Sequence, residues 1–455
     1  MKSQATSKGR LSAIDLVFSV MDSPRRPLDF TLLFHLKDAP GLDALRAGAR
    51  SARNFYPTTG SYIDKQHWIR FIEPEDGVTA ILVSSGEDLA PAIEEFLDRP
   101  FDLHQQMPVQ QLVIMNSGNG EVKLVTRFHH AVADGLSAAM WLGHQLRVAY
   151  GKDASVAEVS PFQDLPLRNH SSPARRSRFA YRGPSHSLWT RRAESSRARR
   201  WRTIEVAASE LRQGCRRTRG FTYNDLLATC ALEVFARWNR LHCSGHRQNV
   251  GLWLPVNIRQ QSSEGFGNGT SRIRLYARYG DHASLVDKCR EVRRQVSWSN
   301  RHGEWAVPQE APFSYLPQWV FTPLLRCYLN RPGVDMATGV FSHAERWTGD
   351  GGEIFQHVEK IESIGQLHNR YCVAINGATH CGRTWLTFTY DPGLLSPEDI
   401  QRLIEMYQEQ IALARRELAA DERGLNADRP NKKEHSDSVG LNFNSYLRSS
   451  AFIRG

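Results

Sequence analysis

One stretch constrains the fold of this chain more than any other. Residues 122–140 read VKLVTRFHHAVADGLSAAM, an alternating apolar run that ends in two adjacent histidines and is followed by Asp-Gly. A period of two predicts a strand, with Val122, Leu124, Thr126, Phe128 and His130 on one face. Lys123, Val125, Arg127 and His129 share the other. Leu136, Met140, Gly143 and Leu146 then recur at helical spacing, so a helix begins near Asp134. A second apolar run, QQLVIMN (110–116), precedes the strand through the turn SGNGE, which is a β-hairpin signal. The two histidines therefore stand where a strand turns into a helix, at the mouth of an α/β sheet.

The rest of the chain reads as two α/β halves around a basic connector. At 455 residues there is enough chain for two or more cores. The expected units are a first lobe over 1–150, a connector over 151–202, a second lobe over 203–420 and a disordered polar tail over 421–455. In the first half, LDFTLLFHL (28–36) reads as a strand and GLDALRAGARSAR (41–53) as a helix. The connector is dense in Arg, Ser and Pro, and a long loop followed by a short basic helix is its expected form. In the second half Thr222 caps a helix with Asp225 three residues on, and its buried stripe is Leu227, Ala231, Val234 and Trp238. VGLWLPVNIR (250–259) and RIRLYARY (272–279) alternate as strands, YCVAINGATHCGRTWLTFTYDP (371–392) as a hairpin, and a helix capped by Ser396 closes the fold.

Several function classes drop out. No apolar run approaches the roughly 20 residues that cross a bilayer. Asp15 interrupts the short apolar stretch near the N-terminus and no small-residue cleavage site follows, so the cytoplasm is the expected compartment. The seven cysteines are scattered without a CxxC pair, which argues against a disulfide framework and a zinc ribbon. A net charge of +10 points to an anionic partner: a phosphate-bearing cosubstrate, an acidic protein or an anionic membrane surface. No nucleic-acid-binding motif is present.

On opposite faces, His129 and His130 cannot form one paired site, nor can neighbours on an extended strand converge on one metal ion. His130 suits a general base, because the neutral imidazole is available at pH 7. Asp134 either caps the helix or pairs with a cation from the other half. Ser137 has no GxSxG context for a serine hydrolase. Two core histidines followed by an Asp-Gly turn is the bland alternative.

His129, His130, Asp134 and Gly135 resemble the HHxxxDG motif of the acyl-thioester-dependent acyltransferases. That superfamily includes chloramphenicol acetyltransferase, the condensation domains of nonribosomal peptide synthetases and the wax ester synthase/diacylglycerol acyltransferases. LSAIDLVFSVMDSPRRPLDF, RPFDLHQQMPVQQLVI, NDLLA (224–228), LPVNIR followed by Gly267-Asn268, and LTFTYDP resemble the wax ester synthase branch in the same order. Its Pro-Leu-Trp is here Met107-Pro108-Val109, and ATGVFSHAERW (337–347) replaces a Ser-Asn-Val-Pro-Gly-Pro-like loop.

The resemblance implies an α/β pseudodimer of two chloramphenicol-acetyltransferase-like lobes with an active-site tunnel between them. It implies His130 as general base, with Asp134 and Gly135 completing the catalytic set. His129, Asn224, Asp225 and Arg259 are the expected supports, Arg259 as the partner of Asp134. The oxyanion donor is expected from Gly135 N–H, with Thr338 as the second candidate. No bound cofactor or metal is expected; acyl-CoA or a phosphopantetheine thioester is the co-substrate and a monomer the expected state. Three functions follow: ester formation from a CoA or carrier-protein thioester and an alcohol, a free-standing condensation enzyme joining carrier-tethered substrates by an amide or ester bond, and a non-catalytic recruiting domain.

Overall fold

The alternating runs assemble into two large mixed sheets, each backed by helices. The computed structural model describes residues 8–22, 27–71, 77–84, 88–116, 121–152, 161–163, 165–168, 185–191, 194–196, 198–243, 249–260, 265–278, 283–306, 318–329, 337–344, 353–367 and 371–427. The first half contains β1 (Lys8–Arg10), α1 (Ala13–Met21), β2 (Asp29–Leu36), α2 (Leu42–Phe55), β3 (Ser61–Asp64), β4 (His67–Arg70), β5 (Val78–Val83), α3 (Ala90–Asp98), β6 (Val109–Asn116), β7 (Val122–His129) and α4 (Gly135–Ala149). Then follow β8 (Arg200–Ala207), α5 (Ala208–Thr218), α6 (Tyr223–His242), β9 (Asn249–Asn257), β10 (Thr270–Arg278) and α7 (Leu285–Arg301). The chain continues through α8 (Gln318–Leu329), β11 (Gly339–Ala344), β12 (Val358–Ile364), β13 (Val373–His380), β14 (Arg383–Tyr390) and α9 (Pro397–Ala427).

The first lobe is built on the sheet β12-β2-β7-β6-β5, the second on β10-β9-β11-β13-β14-β8, and β1-β4-β3 make a small third sheet. The expected hairpins form. β6 pairs antiparallel with β7, Val113 opposite Leu124, and β13 pairs with β14 across a two-residue turn. That turn has positive φ at both Cys381 (48°) and Gly382 (76°), the left-handed backbone that a tight hairpin needs. One core packs Leu45, Ala49, Trp141, Leu142 and Leu146 of α2 and α4 against Phe34, Val113, Leu124 and Phe128 of the first sheet. The second packs Leu227, Phe235 and Trp238 of α6 and Met406 and Tyr407 of α9 against Phe341, Ile375, Leu386 and Phe388.

Sequence order and spatial order part company at β12. It lies within 203–420, yet it pairs with β2 of the first sheet, Ile361 opposite Phe34. A register shift between Val358 and Lys360 breaks its alternation, which hides the strand in the sequence. The connector also departs from expectation. Its described residues form no helix, and Arg200 to Arg202 open β8, an edge strand paired with β14. Residues 169–184, with four of the connector's arginines, lie outside the described set.

Arg199 is buried, so it is no part of a solvated patch. Its guanidinium donates to Asp29 Oδ2 (2.8 Å), the Asp29 carbonyl (3.0 Å) and the Leu97 carbonyl (3.1 Å). Arg127 Nε reaches the same Oδ2 at 2.9 Å. Burial works to raise the Asp29 carboxyl, but the two guanidiniums prevail and hold it well below the usual carboxylate range. Arg200 pairs with Glu94 (2.9 Å) and Asp98 (3.1 Å). At the C-terminus α9 runs to Ala427, past the expected end near 420. The remainder of the expected tail lies outside the described residues. Among the described residues no helix is long and apolar enough to cross a membrane.

The Asp29 cluster yields the first prediction. Arg199→Ala leaves a buried carboxylate with one of its two cations, and losing half of such a site costs about 3 kcal/mol. The thermal unfolding midpoint should fall by about 5 °C or more and soluble yield with it. An unchanged midpoint in differential scanning fluorimetry would show that the contact contributes nothing.

Candidate active site

β7 carries the two histidines to the lip of the first sheet. His129 is the last strand residue, opposite Asp29 of β2. The His130 N–H donates to the Leu28 carbonyl (2.8 Å), after which Val132 and Ala133 N–H turn back onto the His129 carbonyl. α4 then starts at Gly135, with the Asp134 side chain accepting from Ser137 N–H at 3.0 Å. Asp134 is thus a helix cap, as one of its two expected roles required.

The two imidazoles do different work. His129 is fully buried. Its Nδ1 accepts from Ala131 N–H (3.0 Å), so Nε2 carries a proton, 3.3 Å from Asp22 Oδ1. Both ring nitrogens face the protein, and His129 braces the turn from behind.

His130 keeps part of its surface accessible. Its ring lies between Phe18 of α1, at 5.3 Å, and Phe30 of β2, at 4.6 Å. Burial, and after it the neighbouring His129, pushes the imidazole down to about 4, while Asp134 and Asp29 act weakly the other way. The Ala133 backbone acts in the same upward direction, less than either carboxylate.

Asp134 is tied to the second lobe. Arg259, just beyond β9, grips it with both terminal nitrogens: Nη1 to Oδ2 at 2.6 Å and Nη2 to Oδ1 at 2.8 Å. Gly269 N–H (2.9 Å) and Thr270 Oγ1 (2.8 Å) donate to Oδ2 as well. Burial alone would raise this carboxyl, but Arg259 outweighs it and the pKa lies below the ordinary value. Asp134 is an ionised architectural group, with both oxygens occupied by protein donors. Gly269 is required here: a Cβ would stand 2.6 Å from Arg259 Cγ. Around the pair, Ser137 Oγ donates to the Gly267 carbonyl (2.7 Å) and Asn268 Nδ2 to the His130 carbonyl (2.7 Å).

The structure therefore brings together His129, His130, Asp134, Gly135 and Arg259. It does not bring Thr338 to them. The Thr338 hydroxyl donates to the His186 carbonyl (2.6 Å) and accepts from Gly251 N–H, near the opposite end of β9 from Arg259. Eight residues of strand separate Gly251 from Arg259, roughly 26 Å at 3.3 Å per residue. Thr338 therefore lies apart from the His130 turn. Asn224 and Asp225 sit at the start of α6, where Asp225 and Thr222 form a capping box. Burial raises the Asp225 carboxyl, Arg293 being 3.9 Å away. No hydrogen bond among the described residues ties either to the His130 turn.

Sequence reasoning missed Phe18, Phe30, Asp22, Ser137, Asn268 and Thr270. Ring stacking and cross-lobe hydrogen bonds join residues 100 or more positions apart and leave no local periodicity. Gly267-Asn268 did stand out, but only as a match in order. Among the described residues no cluster of three or more His, Cys, Asp or Glu could hold a metal ion.

No family model and no curated protein matches this chain. Its fold does match solved structures. The first condensation domain of the calcium-dependent antibiotic synthetase, in complex with substrate analogue 2a, superposes with a TM-score of 0.68 at 16% identity, covering 92% of this chain and 98% of that one. The TRI3 trichothecene 15-O-acetyltransferase from Fusarium sporotrichioides gives 0.63 at 12% identity, over 90% and 95% of the two chains. The nonribosomal peptide synthetase FmoA3 gives 0.63 at 15% identity over 95% of this chain, which spans 44% of the FmoA3 chain. The chain therefore shares its α/β fold with these condensation domains and this acetyltransferase.

Asp134→Ala tests the latch. It strands a buried arginine and removes the α4 cap, at a cost of about 3–5 kcal/mol. The unfolding midpoint should drop by several degrees and soluble yield should fall. An Asp134→Ala protein that melts with the parent would show that the lobes hold together without the pair.

Proposed function

We propose that this chain is an acyltransferase that moves an acyl group from a CoA or carrier-protein thioester to an acceptor hydroxyl, with His130 as general base. The observation that carries the reading is the place of His130: at the lip of the sheet, its ring against Phe18 and Phe30, where burial holds the imidazole below its ordinary pKa and so neutral at pH 7. The likeness in fold to condensation domains and an acetyltransferase supports it. The net charge of +10 suits an anionic donor.

In this mechanism the free nitrogen of His130 takes the acceptor proton as the oxygen attacks the thioester carbonyl. The Gly135 N–H, in the first turn of α4 and without an acceptor among the described residues, is the proposed donor to the developing oxyanion. The thiolate, with a pKa near ~8.5, leaves with little acid assistance. His129 and Arg259 carry no proton in the reaction and keep the base in place. The second reading is amide or ester formation between carrier-tethered substrates, favoured by the condensation-domain likeness. Acyl-CoA thioesters of graded chain length, offered with primary alcohols or amines and followed by free-thiol release, separate ester from amide formation. The same thioesters on carrier proteins separate the donors.

Two outcomes are expected. His130→Ala should fold and lose at least ~10²-fold in kcat, the usual scale for a missing general base; parent-like turnover would sink the mechanism. The imidazole is protonated only in acid, so kcat should hold from neutral pH down to about pH 5 and fall with a midpoint near the value of about 4. An acid limb centred on ~6.5, as for a solvated histidine, would show that the base does not occupy this environment.

A further inference from the structure

We propose that Asn268 is a positioning residue for the base: from the second lobe it holds the main chain of His130, and so couples the seating of the lobes to the aim of the imidazole. The inference rests on His130 being the base. The His130 backbone is gripped twice, by the Leu28 carbonyl on its N–H (2.8 Å) and by Asn268 Nδ2 on its carbonyl (2.7 Å). The first grip comes from its own lobe and the second crosses the seam.

Asn268 is well placed for this. It is buried, and its Oδ1 accepts from Thr270 N–H (3.3 Å), which fixes the amide with its nitrogen toward His130. Its chain neighbours are pinned by the Asp134–Arg259 system. The Gly267 carbonyl accepts from Arg259 (2.8 Å) and from Ser137 Oγ (2.7 Å), and Gly269 N–H donates to Asp134 (2.9 Å). Asn268 thus passes the position of the latch to the one residue of the turn that has an open nitrogen. The ring hangs from that backbone through a single Cα–Cβ bond, so a tilted carbonyl swings the reactive nitrogen. Misplacement of about 1 Å at such a group costs on the order of 10²-fold.

Asn268→Asp isolates the contact. The oxygen that accepts from Thr270 stays and the donor to His130 becomes an acceptor. With octanoyl-CoA and 1-octanol as probes, or whichever CoA and alcohol pair the thiol-release screen finds fastest, kcat should fall at least ~10-fold while both KM values stay within about two-fold. In a His130→Ala background the same change should remove nothing more, because Asn268 acts through His130. An equal loss in both backgrounds would overturn the proposal. A second readout needs no turnover: the His130 Hε1 resonance, titrated in parent and Asn268→Ala protein. The titratable groups facing this ring are His129, Asp134 and Asp29, all left in place. Loosening the turn admits water, so the apparent pKa should rise by about one unit or more toward ~6.5; identical titrations would overturn it. Failure of the base itself would be seen separately, in the His130→Ala single variant, while the titration still reports on Asn268.

Discussion

The buried pair of Asp134 and Arg259 is the interaction on which the rest of the architecture depends. Two charges brought out of water cost more than their attraction returns unless their remaining donors and acceptors are also satisfied. Here the carboxylate accepts from Arg259, Ser137, Gly269 and Thr270 together. One carboxylate caps α4, receives the end of β9 and receives the start of β10. Three elements from two lobes therefore share one register, and none can shift without stranding a charge.

A second ionic knot works on the same plan at the start of β2. Asp29 takes Arg127 from the neighbouring strand and Arg199 from the far side of the connector. Apolar packing supplies each lobe with its own core, but a flat apolar seam would let the lobes slide. The two knots specify one seating. They also bracket the His129–His130 turn, because Asp29 lies opposite His129 and Asp134 lies four residues past His130.

Much of this was legible in the sequence, and the reasons for success and failure differ by element. The hairpin of β6 and β7, the start of α4 and the hairpin of β13 and β14 all carry their periodicity locally, so they were readable. The pairing of Asp134 with Arg259, expected from the resemblance, is present in the structure. β12 was not readable: Glu359, Lys360 and Glu362 dilute its apolar positions, and its partner strand lies more than 300 residues away. The role of Arg199 was hidden for a related reason. An arginine among arginines looks solvated until the fold reveals a carboxylate across 170 residues of chain. The surroundings of Thr338 were not readable either, because composition cannot tell whether a carbonyl already takes a hydroxyl's proton.

The low pKa of His130 looks at first like a poor choice for a base, since basicity falls with pKa. On the proposed reaction it follows from a second requirement. A thioester held next to an activated nucleophile must be kept from water, or transfer becomes hydrolysis. Phe18 and Phe30 pack against the imidazole and reduce its exposure to water, and the same packing penalises the charged ring. The basicity given up is partly restored in the transition state, when the ring becomes cationic. The carboxylates of Asp134 and Asp29 both favour that form. They do so without touching the ring, and because both are held ionised by arginine their contribution does not change across the neutral range. A solvated histidine would be the stronger base and the worse acyltransferase.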